Sequence, residues 1–413
     1  MNIPKEETRV PYPLPGPGLL VVLSSSGWIG LLSLISFGAD SGYAFVGITL
    51  FTLIFKFSLI TGLGRYTLAT GTDIFAGIAT IPGPKNWGVW MINAILYAEI
   101  FMLGFSALTM TRLINELLGV KFPPTLVIIL LFILIFILVS INSYWFFRKI
   151  LIAAISLILI GFTLMIISMP LAIHEILGGL VPNMSMYVSV YESSIILSSV
   201  GSGFSLLFYS VWLLNHLNGR VLPEEKENIL HRIRMDAGMG ISFLFLLCIL
   251  YFSIGFIFLY EHGLGAPESD LTLEIVLTVM NLGLAGNLIF VMICMLALFC
   301  SLLGGIYGRA KVLQVTLPRT VQGLQISRRA FILVVLCLSL SAICAQFFWT
   351  QEMARDFISI RLVLFSIVTG ILMLADWKLR PGDRGSATWY IIMAAGSLCS
   401  LLIGLNLISR YFE

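Results

Sequence analysis

The stretch Gly16–Tyr43, GPGLLVVLSSSGWIGLLSLISFGADSGY, decides how this chain folds. It is long enough to cross a bilayer, for which about 20 predominantly apolar residues are needed. Its middle lacks the make-up of an uninterrupted helix. Ser24, Ser25, Ser26, Gly27 and Gly30 fall together near the expected midplane, with Trp28 among them. Glycine in a helix interior costs about 1 kcal/mol relative to alanine, and serine side chains compete for backbone groups of the helical ladder. The cluster predicts a helix that unwinds inside the membrane. Two readings fit it. Small residues let helices pack closely in lipid, and unwound backbone at that depth can line a cavity that binds a solute.

The rest of the chain sets the context. Of 413 residues, 59% are hydrophobic and 11% charged. Water-soluble domains carry about 25% charged residues, so the composition predicts a polytopic membrane protein in contact with lipid. The formal net charge of +3 gives no footprint for nucleic acid. The six cysteines (Cys248, Cys294, Cys300, Cys337, Cys344, Cys399) lie in apolar runs without C-x-x-C spacing and read as packing residues. No cleavable signal peptide is evident, and the first helix is expected to serve as its own insertion signal.

Eleven apolar runs meet the spanning criterion, near 17–38, 43–63, 87–111, 124–143, 150–171, 194–215, 238–260, 272–306, 331–349, 357–376 and 388–409. The expected class is therefore an all-α polytopic membrane protein. Residues 1–16 form a cytoplasmic segment, 17–376 a core, and 377–413 the eleventh helix and C-terminus. The longest connections are expected at 172–193, 216–237 and 307–330. With the N-terminus in the cytoplasm, 18 of the 24 Lys and Arg residues fall in inside segments and five in outside segments or outer span ends. Arg309 is counted with the former and Arg361 with the latter; Lys56 lies within a span. The bias places the C-terminus outside, in what is expected to be the cell membrane.

The sixth run echoes the first. VGSGFSLLFYSVW brings Gly201, Ser202, Gly203, Phe204 and Ser205 together inside an apolar span. Weak points in spans one and six, five apart, are what inverted repeats of about 17–171 and 194–376 would produce.

The order of motifs resembles the Nramp family of proton-coupled divalent-metal transporters. GPG at Gly16–Gly18 and GADSGY ending at Tyr43 are similar to the family's opening and its GAQFGY. RYTLATGTDIF (Arg65–Phe75), SYWFFRK (Ser143–Lys149), LGGLVPN (Leu177–Asn183) and IFVMICMLALFCSLLGGIYGR (Ile289–Arg309) resemble its later motifs. The resemblance covers most of residues 16–320. It implies the leucine-transporter-type fold, ten core helices in two inverted five-helix halves plus an eleventh. In the family's metal transporters the helix 1 break reads DPGN; the matched positions here are Gly27, Trp28, Ile29 and Gly30. The family's A-x-x-M-P-H in helix 6 is matched by Ser202, Ser205 and, at the His, Leu207. No carboxylate, amide or thioether stands at those positions, whereas divalent cations take oxygen ligands or, for selectivity, sulfur. The family's metal site is absent from these motifs.

Two charged residues sit deep in spans, Lys56 in the second and Glu99 in the third, and such residues are functional candidates. The resemblance aligns Glu99 with an acidic position of the family's proton pathway, although Met102 stands where a second ionisable residue belongs. A structural Lys56–Glu99 pair is the other reading. Tyr209 and Trp212 read as core packing. No phosphate loop, H-E-x-x-H or nucleophile elbow is present, so neither an enzyme nor a cofactor is expected.

The expected function is secondary transport of a small inorganic ion, coupled to Na⁺ or H⁺. The substrate site is expected at Ser24, Ser25, Ser26, Gly27, Trp28, Gly30, Ser202, Gly203, Phe204 and Ser205. A small anion such as bicarbonate is the leading reading, because hydroxyls and helix N-termini favour oxyanions. A Mg²⁺-like divalent transporter and a non-transporting membrane sensor are the alternatives. The topology generates a direct test. A C-terminal reporter active only in the cytoplasm should stay silent, and a bright signal would reverse the assigned orientation.

Overall fold

In lipid every backbone N–H and C=O has to be satisfied within the protein, which leaves helices as the way for an apolar run to cross. The structure, a computed structural model, describes residues 12, 14–24, 28–119, 122–168, 171–180, 189–201, 203–217, 226–263, 283–321, 326–348 and 351–409. Every longer regular element among them is an α-helix. These are α1 (Pro17–Ser24), α2 (Trp28–Ser41), α3 (Val46–Thr70), α4 (Ile74–Ile78), α5 (Trp87–Ala98), α6 (Ile100–Leu118), α7 (Pro124–Ser140) and α8 (Tyr144–Ser168). They continue with α9 (Ile173–Leu180), α10 (Val190–Ser199), α11 (Phe208–His216), α12 (Lys226–Phe258), α13 (Gly283–Thr320), α14 (Arg328–Phe348), α15 (Gln351–Trp377) and α16 (Ala387–Ser409). Among the described residues, nine helical stretches are long and apolar enough to cross a membrane, and α7 is a shorter apolar helix. The first expected span is divided between α1 and α2, with Ser25, Ser26 and Gly27 outside the described residues.

Two expected connections are largely helical instead. Residues 226–237 form the start of α12, where Ile229, Ile233 and Asp236 are buried. Residues 307–320 continue α13, whose far end is held by the buried bond from Asn93 to Thr316 (3.1 Å). Polar residues ended both spans in a hydropathy reading; His231, Arg232 and Arg234 do stay exposed, whereas Asp236 and Thr316 face protein.

The centre is built by α1, α2 and α3 packed on α12, with α13 lying against α1, α6 and α8. The α2–α12 crossing depends on glycine. A methyl group on Gly38 would run into the carbonyl of Phe252, and one on Gly255 into that of Ile35. Small residues permit this approach of two backbones.

The first helix is anchored at its start. Asp236, fully buried on α12, accepts hydrogen bonds from the Gly16 and Gly18 amides, each 2.6 Å. These are N–H groups that a helix N-terminus leaves without an intrahelical partner, and a carboxylate there also complements the helix dipole. Tyr12 donates to the same carboxylate at 3.3 Å. Arg148 donates twice to the Pro15 carbonyl, at 2.9 and 3.1 Å. Two stretches singled out in sequence, GPG and SYWFFRK, thus meet at one anchor. Asp236→Ala should lower the thermal unfolding midpoint of the detergent-purified protein, with a cost of about 1–3 kcal/mol for stranded buried donors. Asp236→Asn should recover part of the loss, and an unchanged midpoint in the alanine variant would refute the anchor.

Candidate functional site

The sixth span opens where its glycines are. Ser189 caps α10 by accepting from the Tyr191 amide at 3.2 Å. The helix ends when Val200 becomes extended (φ −67°, ψ 126°) and Gly201 takes φ +70°, a conformation that favours glycine. Gly203 follows at φ −102°, ψ −116°, and the chain re-enters a 3-10 turn, Phe204–Leu207, before α11. Val200, Gly201 and Gly203 are all buried, so this broken backbone lies within protein as membrane depth requires.

Charged side chains from four other spans converge on the break. The Lys56 stem packs beside Gly201, where an added Cβ would lie 3.5 Å from Lys56 Cγ. Its Nζ sits 4.5 Å from the ring centre of Phe365, and the lysine is in electrostatic reach of both Glu99 and Arg361. The Arg361 guanidinium of α15 lies against Gly203, where an added Cβ would be 2.9 Å from Cζ. Phe204 is fully buried, its ring edge-on to Phe365 at 5.4 Å.

Glu99 stands at the junction of α5 and α6 and is buried. Its Oε2 accepts from Arg309 Nη2 at 3.1 Å, and its Oε1 lies 2.8 Å from Arg361 Nε. The two contacts differ. Arg309 is fixed three ways, since its Nε also donates to the Leu96 carbonyl (2.7 Å) and Nη1 to that of Gly305 (3.0 Å). The Arg361 contact is a close charge pair without an aligned bond: neither Arg361 Nε nor Glu99 Oε1 has a hydrogen-bond partner. Among the described residues, one carboxylate therefore faces three basic side chains in a buried region. Buried charge is expensive unless paired.

The expected site residues divide as follows. Gly203, Phe204, Lys56 and Glu99 come together at the break. Ser205 lies half-buried in the 3-10 turn. Ser24 ends α1, donates to its own helix at Val21 (3.3 Å) and abuts Gly304 of α13. Trp28 opens α2 and Gly30 lies in its first turn. Ser25, Ser26, Gly27 and Ser202 lie outside the described residues. Tyr209 and Trp212, read as packing residues, are fully buried. Among the described residues no group of three or more His, Cys, Asp or Glu side chains is placed to hold a metal ion.

Arg309 and Arg361 escaped the sequence reading. Both were assigned to segment ends and used to count charge for topology, but Arg309 is 4% exposed and the Arg361 side chain 12%. Removing them leaves seventeen basic residues inside and four outside, so the bias keeps its sign. The available signal was position. Arg361 falls within the run 357–376, and Arg309 is followed by an apolar stretch that keeps helical spacing.

No protein-family model matches this chain, and no curated protein matches it by sequence. Solved structures do match by fold. A variant of the manganese transporter of Eremococcus coleocola is 15% identical with a TM-score of 0.76, covering 100% of this chain and 90% of the other. Mhp1, a nucleobase-cation-symport-1 family transporter in a closed conformation, is 12% identical with a TM-score of 0.64, covering 96% and 92%. MhsT in complex with L-phenylalanine is 14% identical with a TM-score of 0.57, covering 95% and 97%. The chain has the all-helical, leucine-transporter-type fold of these transporters.

Proposed function

We propose that the protein is a secondary transporter of a small inorganic anion, bicarbonate being the leading candidate, acting at the break of the sixth span. The observation that carries this reading is the excess of positive charge around Gly201–Phe204. Among the described residues, Lys56, Arg309 and Arg361 are gathered there against the single carboxylate of Glu99. A divalent cation entering the same place would meet these basic side chains, which disfavour it by Coulomb repulsion in a medium of low dielectric.

Fold likeness to a manganese transporter supports a transport role and favours a metal substrate as the second reading. The side chains oppose that reading. Ser202, Ser205 and Leu207 stand at the positions matched to the helix 6 metal motif, and Gly27, Trp28 and Gly30 at those of helix 1. The proposal retains eleven spans, inverted repeats over 17–171 and 194–376, coupling to Na⁺ or H⁺, and a cell-membrane location with a cytoplasmic N-terminus. It includes no enzymatic step and no cofactor.

In liposomes the purified protein should carry bicarbonate or a similar anion above the rate of empty vesicles. Lys56→Met should reduce that flux at least about tenfold, in line with losing one charged hydrogen-bond donor. Gly27→Asp, which adds a carboxylate at the matched metal position, should abolish it. Mn²⁺ should bind weakly or not at all by calorimetry. Micromolar Mn²⁺ affinity, or Mn²⁺ or Mg²⁺ flux without anion flux, would overturn the proposal.

A further inference from the structure

The two arginines that meet Glu99 are not equivalent, and the difference assigns them separate tasks. Arg309 is committed to fixed acceptors. Three of its nitrogens donate to three acceptors, two of them backbone carbonyls on α5 and α13, and its guanidinium also lies 5.7 Å from the Phe208 ring centre. Such an arginine cannot move without breaking three buried hydrogen bonds at once. Arg361 is otherwise. It is the most exposed of the three charged partners in the cluster, 12% against 4% for Arg309 and 3% for Glu99. Its Nε approaches Glu99 Oε1 to 2.8 Å without forming an aligned hydrogen bond. Its guanidinium also lies on Gly203, the residue at which the broken span turns back into helix.

A guanidinium presents a planar fork that pairs best with the two oxygens of a carboxylate, side by side. Glu99 is held by Arg309 through its other oxygen, so it can offer Arg361 only one oxygen, and that one off axis. A free trigonal oxyanion has no such tether. It can present two oxygens in the plane of the Arg361 fork and leave Glu99 to Arg309 alone. Lys56, in electrostatic reach of Arg361, is a further hydrogen-bond donor close to the same place. A spherical halide cannot make the paired contact; a tetrahedral dianion can, but it carries a second negative charge that the Arg361 guanidinium alone does not neutralise.

Resting on the anion reading above, we propose that Arg361 is the residue that grips the substrate, that Glu99 is its built-in counter-anion, and that the substrate is a monovalent trigonal oxyanion, of the bicarbonate, formate or nitrate type, which takes the place of Glu99 Oε1 on the Arg361 fork. No covalent step is involved. Glu99 acts here as a built-in competitor that keeps the guanidinium paired when the site is empty of solute. Removing the competitor raises the fraction of protein competent to bind, and apparent affinity rises with that fraction.

The test measures binding of formate, nitrate, chloride and sulfate to the purified full chain by calorimetry, with flux in liposomes measured in parallel. The wild type should bind formate and nitrate in preference to chloride and sulfate. Glu99→Gln should bind the trigonal anions about tenfold more tightly. Arg361→Lys, which keeps the charge but not the fork, should lose the preference for trigonal anions over chloride. In the unmutated protein, infrared difference spectra on adding ¹³C-formate should show a shifted carboxylate band, and that band should be missing in Glu99→Gln; this readout does not depend on the variant's stability. Wild-type anion flux with unchanged or weaker binding in folded Glu99→Gln, and no carboxylate band shift, would overturn this inference and leave the anion reading standing. Absence of anion binding and flux in the wild type and in both variants would overturn both.

Discussion

Backbone that leaves the helix inside a bilayer has to find its hydrogen-bonding partners in protein, because lipid offers none. That constraint governs the middle of this molecule. The sixth span can open at Val200–Gly203 only because α3, α12 and α15 pack side chains around it: Leu53 and Lys56, Leu244, and Arg361. Burial then has a second effect. The polar groups that surround the break act in a medium where charge is weakly screened, so each cation placed there matters more than one on a surface. The opening of the helix and the strength of the electrostatics around it have the same cause.

The charge cluster shows how several spans make one site. Lys56 comes from α3, Glu99 from the α5–α6 junction, Arg309 from α13 and Arg361 from α15. Phe365 and Phe204 form the apolar floor, with Lys56 over the face of one ring and the other ring edge-on to it. Aromatic faces attract cations, more so when water is excluded. Lysine is thereby accommodated at full burial.

Much of this was legible in sequence, for physical reasons. The break of the sixth span was written in Gly201 and Gly203, since a positive φ and a close approach to a guanidinium both ask for glycine. Lys56 and Glu99 stood out because charge is rare in long apolar runs. The partners of Glu99 were not legible. They lie 210 and 262 positions further along the chain, and a hydropathy reading treats an arginine near the edge of an apolar run as a loop residue. Arg309 and Arg361 read as markers of topology, yet helix continues past each of them and protein covers both. The same habit cut α12 and α13 short, because Asp236 and Thr316 are polar residues whose partners, Gly16, Gly18 and Asn93, sit in distant parts of the chain.

The length of α13 carries a consequence for the medium around the protein. Thirty-eight helical residues extend about 57 Å at the usual rise, well beyond a hydrocarbon core of about 30 Å. Glu99–Arg309 is formed in its interior and Asp73–Arg319 by its end, where Arg319 is 32% exposed and bonds the carboxylate with two nitrogens. Dissolved ions reach the second pair and not the first, and at physiological ionic strength they screen charge over about 8 Å. A rise in salt therefore loosens the clasp between α4 and the tip of α13 while the ion pair in the interior of the same helix keeps its strength. One helix thus ties together a part of the molecule that senses the electrolyte and a part insulated from it.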